Sequence, residues 1–179
     1  MMTIIPVLAV VAAGLLIVIA RRPDEFRTVR SATFSASPEA LFAYVNDLRK
    51  FQIWSPWARL DPSAKTTFEG PADGTGAVFK WAGSAKVGAG SMTIIESRPA
   101  DLVRMRLEFL KPFRATNTAE FTFTQAGAGT QVTWSMTGRS NFVSKAVGLF
   151  VDCDKMVGAQ FESGLANMRA VMESAGGRS

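Results

Sequence analysis

The chain has 179 residues, 47% of them apolar and 20% charged, a globular composition with room for one domain and one core. Its 20 basic and 15 acidic side chains leave a net charge of +5 that is scattered along the chain, and no Lys/Arg run resembles a nucleic-acid footprint, so nucleic-acid binding is not expected. The absence of histidine and the single cysteine, Cys153, exclude the usual zinc sites, a Ser-His-Asp triad, a Cys-His pair and an internal disulfide.

The first twenty residues stand apart from the core. From Thr3 to Ala20 the chain reads TIIPVLAVVAAGLLIVIA without a charge and then meets Arg21 and Arg22. As a helix rising 1.5 Å per residue, this run spans about 27 Å, one hydrocarbon thickness. A cleaved signal peptide is the competing reading. It wants a basic residue before the run and a small-x-small site after it, and neither is clear. The segment therefore reads as a single-pass anchor over residues 1–22 ahead of a domain over 23–179. The two arginines favour the cytoplasmic side for that domain, and a lone cysteine fits a reducing compartment.

After the anchor, FRTVRSATFSA (26–36) is rich in β-branched and aromatic residues and predicts a strand. In SPEALFAYVNDL, Ser37 is a natural N-cap, Pro38 takes the first helical position, and Leu41, Phe42 and Val45 form a helical stripe. A second short helix, DLRKFQIW, must stop before Pro56. From there to about residue 138 the pattern is β, with KTTFEG, GAVFKWAG, GAGSMTIIESR, LVRMRLEFL, ATNTAEFTFTQ and TQVTWSMTG separated by Gly- or Pro-bearing turns. Short connections predict an antiparallel meander with one apolar face. Val103, Met105, Leu107 and Phe109 share that face, as do Phe121 with Phe123, and Val132 with Trp134 and Met136. The chain closes with a helical tract from about Ser144 to Ser174, where Phe161, Leu165, Met168 and Met172 form one stripe. Asp152 and Asp154 suggest a break or a restarting N-cap within it.

Several stretches carry a family likeness: SPEALFAYVNDLRKFQIWSPW, the Gly70, Pro71, Gly74 and Gly76 of EGPADGTG, Trp81, VGAGSMTI, and DCDKMVGAQFESGLANM. In that order, over residues 26–173, the chain resembles the START-like (SRPBCC, Bet v 1-like) superfamily, and within it the polyketide cyclase/dehydrase and lipid-transport group. The resemblance implies an α+β helix-grip fold: a curved antiparallel sheet wrapped around a long C-terminal helix, with a cavity between them. It implies less about chemistry, since members bind or transform many apolar molecules and a fold hosts many activities.

Any catalysis would have to use carboxylates, Arg, Lys or the lone Tyr44. Arg59 and Asp61 follow the tryptophan pair and read first as an ion pair or loop cap. Glu96 faces the cavity if it keeps the parity of Met92 and Ile94, and the opposite parity is equally open. No catalytic residue, cofactor or metal is assigned. The apolar inward residues instead suit a hydrophobic small molecule or lipid, and the eight methionines suit a pocket that repacks. Candidate ligand contacts on the sheet are Trp81, Met105, Phe109, Phe121, Phe123 and Trp134, with Asn117 as a polar group on the same parity. The helix adds Phe161 and Leu165, and the short-helix exit adds Trp54 and Trp57, which close one end of the cavity or line its mouth. The same side chains would simply be core in a solid sandwich.

The expectation is therefore a membrane-anchored domain that binds, transports or senses a hydrophobic ligand. The alternatives are a cyclase or dehydratase acting on an aromatic or polyketide-like substrate, and a structural partner with its interior filled. The first needs at least two ionisable groups converging in the cavity; the second predicts no cavity.

Overall fold

The computed structural model describes residues 14–140, 142–149 and 152–176. Most of the run Thr3–Ala20 lies outside them, as does part of the anchor predicted there; 14–20 are helical (α1). Among the described residues no helix is long and apolar enough to cross a membrane.

Next come β1 (Glu25–Phe34), α2 (Pro38–Asn46), α3 (Leu48–Trp54) and a 3-10 turn at Trp57–Arg59. Six further strands follow: β2 (Lys65–Glu69), β3 (Val78–Ala82), β4 (Ala89–Arg98), β5 (Leu102–Lys111), β6 (Ala115–Ala126) and β7 (Gly129–Arg139). The chain ends in α4 (Phe142–Val147) and α5 (Cys153–Gly176). Among the described residues the strands form one seven-stranded sheet in the order β1-β7-β6-β5-β4-β3-β2, each pair antiparallel. The curved sheet and the long C-terminal helix make the helix-grip arrangement that the sequence implies.

Local chemistry sets the helix boundaries. The Ser37 hydroxyl accepts the Ala40 N–H at 3.3 Å, and Pro38 occupies the first turn, where no N–H is needed. Asp47 ends α2 and starts α3, its Oδ1 accepting from the Arg49 N–H at 2.8 Å and from the Lys50 N–H. A single carboxylate thus bends the chain between the two helices. The predicted break in the C-terminal tract is present: Asp152 accepts the Lys155 N–H at 3.0 Å and caps α5. Asp154 instead pairs with Arg30 at 3.2 Å, and Glu162 meets the same guanidinium at 2.7 Å, fastening α5 to β1.

Alternation along the strands sorts the two faces. On the concave side Ile94, Val103, Met105, Phe121, Val132 and Trp134 are buried together with Leu41, Val45, Leu48 and Phe51 of the short helices. Each such side chain contributes about 1.5–3 kcal/mol through burial. The convex face is wet and charged: Arg104 bridges Glu96 and Glu120 across three strands. The position of Glu96 corrects one candidate. Register shifts between Ile94 and Glu96 make a β-bulge, which leaves Ile95 exposed and turns Glu96 away from the cavity onto the Arg104 side.

Candidate functional site

The sheet and α5 do not meet over their whole length. Between them lies a cavity of about 510 Å³, within the about 300–1,000 Å³ common for small-molecule sites. Its sheet wall is built from Phe79, Trp81, Met92, Met105, Leu107 and Phe109, continued by Ala119, Phe121, Trp134 and Met136. The opposite wall comes from Phe51 and Gln52 of α3 and its C-cap Ser55, Trp57 and Ala58 of the 3-10 turn, and Val157 and Phe161 of α5. Asp61, Pro62 and Ala64 of the following loop, Thr66 and Phe68 of β2, and Val87 of the β3–β4 turn form the rim side.

Of the residues predicted to contact ligand, the cavity gathers Trp57, Trp81, Met105, Phe109, Phe121, Trp134 and Phe161. It leaves out Trp54, Asn117, Phe123 and Leu165, each for a packing reason. Trp54 is fully buried, and its indole N–H donates to the Tyr44 carbonyl at 3.1 Å. Phe123 lies two residues further along β6, edge-on to Phe42 of α2 at 5.9 Å. Leu165 follows Phe161 by one helical turn and is packed in the core. Asn117 sits beside Gly138, its Nδ2 3.8 Å from the Met136 sulfur. The tryptophan pair thus divides its labour: Trp54 plugs the core, and half-buried Trp57 faces the cavity.

Aromatic rings organise the inner end of the site. Trp134 stacks on Phe161 with centroids 4.0 Å apart and planes 7° apart. Phe121 lies 4.7 Å away, and Trp54 and Trp57 meet the same indole edge-on at 5.6 and 5.7 Å. Gly164 lets α5 come this close, since a Cβ there would stand 2.8 Å from Trp134 Cζ3. Trp134 Nε1 is, among the described residues, the one buried side-chain nitrogen or oxygen without a hydrogen-bond partner, an omission that costs about 1–3 kcal/mol. Near the mouth, Trp81 lies against Gly90, where a Cβ would clash with its Cζ2 at 2.6 Å, and its N–H donates to the Val87 carbonyl at 3.0 Å.

The polar groups of the wall are few. Gln52 lies on α3, and Ser55 is the cap that ends it, where the backbone leaves helical geometry. Among the described residues Asp61 is the one ionisable lining residue. Its carboxylate is already occupied: the Ser63 hydroxyl and N–H donate to Oδ1 at 2.6 and 3.2 Å, and the Ser84 N–H donates to Oδ2 at 2.7 Å. The Ser63 hydroxyl, then the Ser84 N–H, hold this carboxyl well below the usual carboxylate range. Asp61 is therefore the loop cap that its position after the tryptophan pair suggests; it ties the 61–64 loop to the β3–β4 turn. Among the described residues no cluster of His, Cys, Asp and Glu could hold a metal ion.

Sequence reasoning missed Phe51, Gln52, Ser55, Phe68, Phe79 and Met92 as lining residues. For Phe79 and Met92 the signal was present, because both alternate in phase with residues already read as inward. For Gln52 and Ser55 no signal exists in the sequence, because nothing in a polar residue of a helix or of its cap says that it faces a hollow.

Comparison with known proteins follows the same outline. The profile of a family described as polyketide cyclase/dehydrase and lipid transport matches residues 25–173. No curated protein sequence matches the chain. Among solved structures it is similar to protein Ms6760 from Mycobacterium smegmatis, at 19% identity and a TM-score of 0.58, covering 83% of this chain and 92% of that one. It is also similar to Ara h 8.0201, at 13% identity and a TM-score of 0.59, covering 84% of this chain and 99% of that one. The di-domain ARO/CYC StfQ from the steffimycin biosynthetic pathway aligns at 13% identity and a TM-score of 0.62, over 88% of this chain and 54% of that one. At these identities the likeness is one of fold.

Proposed function

The chain belongs to the polyketide cyclase/dehydrase and lipid transport family, and from that premise we propose that it binds an uncharged hydrophobic small molecule or lipid in its cavity, carrying or sensing it. One observation carries this reading: about 510 Å³ of space is walled by aromatic, Met and aliphatic side chains with no available charge. A carboxylate or phosphate ligand would be desolvated there without a cationic partner, a cost of several kcal/mol. A hydroxyl, carbonyl or amide can be met by Gln52 and Ser55, which lack other side-chain partners among the described residues.

A cyclase or dehydratase would need acid and base groups converging on a substrate. Among the described residues the wall offers Asp61 alone, and its oxygens are taken by Ser63 and Ser84. The filled-interior reading does not account for the cavity. The apolar run Thr3–Ala20 with Arg21 and Arg22 supports the remaining element of the proposal, a single-pass anchor that keeps the domain at the cytoplasmic face of a membrane, close to ligands that partition there.

The test is to purify the full chain, extract it with organic solvent and identify co-purifying compounds by mass spectrometry. Competition against an uncharged fluorescent apolar probe follows on the same preparation. A near-stoichiometric neutral compound that displaces the probe is expected. An empty protein that takes up no probe, or one that prefers fatty acids to the matching alcohols, sinks the proposal.

A further inference from the structure

Among the described residues, most of the large apolar side chains that remain exposed gather at one end of the sheet. The register identifies that end. Glu25 pairs with Arg139, Asn117 with Gly138 and Leu107, Ala89 with Lys111, and Lys65 with Ala82. These pairs bring together the entry of the chain into β1, the β5–β6 turn, the β3–β4 turn and the approach to α4. Phe113 at the tip of the β5–β6 turn is 75% exposed, and Leu110 just before it 56%. Phe142 and Val147 of α4 and Leu15, Leu16, Ile17 and Val18 of α1 are about half exposed. At the other end, the turns at 70–77, 99–101 and 127–128 expose no large apolar side chain, and their charges include Asp73 and the Arg98–Asp101 pair.

Charge follows the same division. The turn reads Lys111-Pro112-Phe113-Arg114, so its exposed ring sits between two exposed cations, and Lys86 stands on the adjacent β3–β4 turn. None of the three makes an ion pair among the described residues. Of the carboxylates at this end, Glu108 faces Arg106 at 3.6 Å, Asp61 is capped and Asp24 pairs with Lys145, which leaves exposed Glu25 as the one without an ion pair among the described residues. Arg21 and Arg22 add two cations where α1 leads into β1. The cavity mouth lies here too, since its lining residues Val87 and Phe109 belong to these two turns or flank them.

We propose that this end of the sheet docks on an anionic lipid bilayer, with Phe113 and Leu110 entering the acyl boundary and Lys86, Lys111 and Arg114 meeting headgroup phosphates. The tip is convex and carries a single protruding ring, a shape that suits a deformable interface; a protein partner would need a pocket made for it. Apolar side chains buried at the headgroup level and cations held at the surface supply the two attractions that peripheral binding requires. Docking sets the cavity mouth against the membrane, where an apolar ligand can pass without crossing water. The proposal rests on the surface alone and holds even for an empty cavity.

The test uses the full chain in vesicles. An environment-sensitive fluorophore is attached through Phe113→Cys in a Cys153→Ser background, and quenching by nitroxide-bearing lipid is recorded in neutral vesicles and in vesicles about one-third phosphatidylglycerol. Position 113 should be quenched in the anionic vesicles, while the same label at Asp101→Cys, at the opposite end, stays unquenched. Adding Lys111→Ala with Arg114→Ala should lower the docked-to-undocked ratio about 25-fold, about fivefold for each cation, and high salt should act in the same direction. No quenching at 113, equal quenching at 101, or quenching indifferent to those cations overturns the proposal. Any of these results leaves the cavity reading standing, because probe uptake is measured separately.

Discussion

One sheet roofs two unlike interiors. At one end α2 lies against β5 and β6 while α3 packs on α2 and α5, and Leu41, Val45, Leu48 and Trp54 join Val103, Phe121 and Val132 in one core with every one of these side chains buried. Toward the mouth, the same inward-facing rows continue as Met105, Leu107 and Phe109, but what faces them is space. Strand alternation is identical in both halves, so the sheet does not distinguish core from cavity. The opposing element does. Two helices pushed close by a single Asp47 bend fill one half, whereas among the described residues α5 brings only Val157 and Phe161 to the other.

The contrast breaks most visibly in the filled half. Trp54→Ala removes a fully buried ring, its hydrogen bond to Tyr44 and its edge contacts with Phe121 and Trp134. A loss of about 3–5 kcal/mol is expected, read from denaturant midpoints at constant slope. Trp57→Ala, three residues away and half-buried, should cost well under half as much while weakening binding of an apolar probe. Equal destabilisation by the two variants would mean that the tryptophans share one role, contrary to their placement.

Adding volume tests the hollow half from the other side. Ala119 is buried in the cavity wall, so Ala119→Phe places a ring into space and not into its neighbours. Its stability should stay within about 1 kcal/mol of the parent, where the same growth in a close-packed core costs about 1–3 kcal/mol. Binding of the probe should fall at least about tenfold, roughly 1.4 kcal/mol, as measured by fluorescence titration. Destabilisation without loss of binding would move the ligand elsewhere.

The two halves also differ in how much of them could be read from the sequence. Periodicity of two gave the inward rows, the caps at Ser37 and Asp152 gave helix boundaries, and both hold in the structure. Depth along a row is a different kind of information. Phe121 and Phe123 share a face and a chemistry, yet the first borders the cavity and the second packs on Phe42. Trp54 and Trp57 differ in the same way, and so do Phe161 and Leu165. Which of each pair meets the hollow depends on where α2, α3 and α5 cross the sheet, a tertiary matter that no local pattern records. The bulge before Glu96 is a smaller case: one extra residue reverses the parity of all that follows.

A polar wall residue gives a finer contrast. Gln52→Ala on the cavity face of α3 should leave stability within about 0.5 kcal/mol and weaken an alcohol or amide probe by about 0.5–1.5 kcal/mol relative to a hydrocarbon of the same shape. Parallel calorimetric titrations of the two probes give the comparison directly. Equal losses for both would show that Gln52 contributes bulk and not a hydrogen bond.

The smallest expected effect is that of pH, and it separates the charged exterior from the uncharged interior. Asp24, beside Lys145, and Asp154, bonded to Thr28 and Arg30, both have lowered carboxyl pKa values. A depressed native pKa contributes stability above the unfolded value of 3.8, lost as pH falls through the folded value. Acid should therefore destabilise the fold below about pH 4 through these outer groups and Asp61. Binding should not follow that curve at higher pH. The chain has no histidine, and Asp61, the one ionisable wall residue among the described residues, is held ionised to pH values well below the ordinary range. Affinity for an uncharged probe should then be flat between about pH 5 and about pH 9. A titration within that window, on protein that remains folded, would require a proton-exchanging group at the ligand, and with it the acid–base chemistry that this wall otherwise lacks.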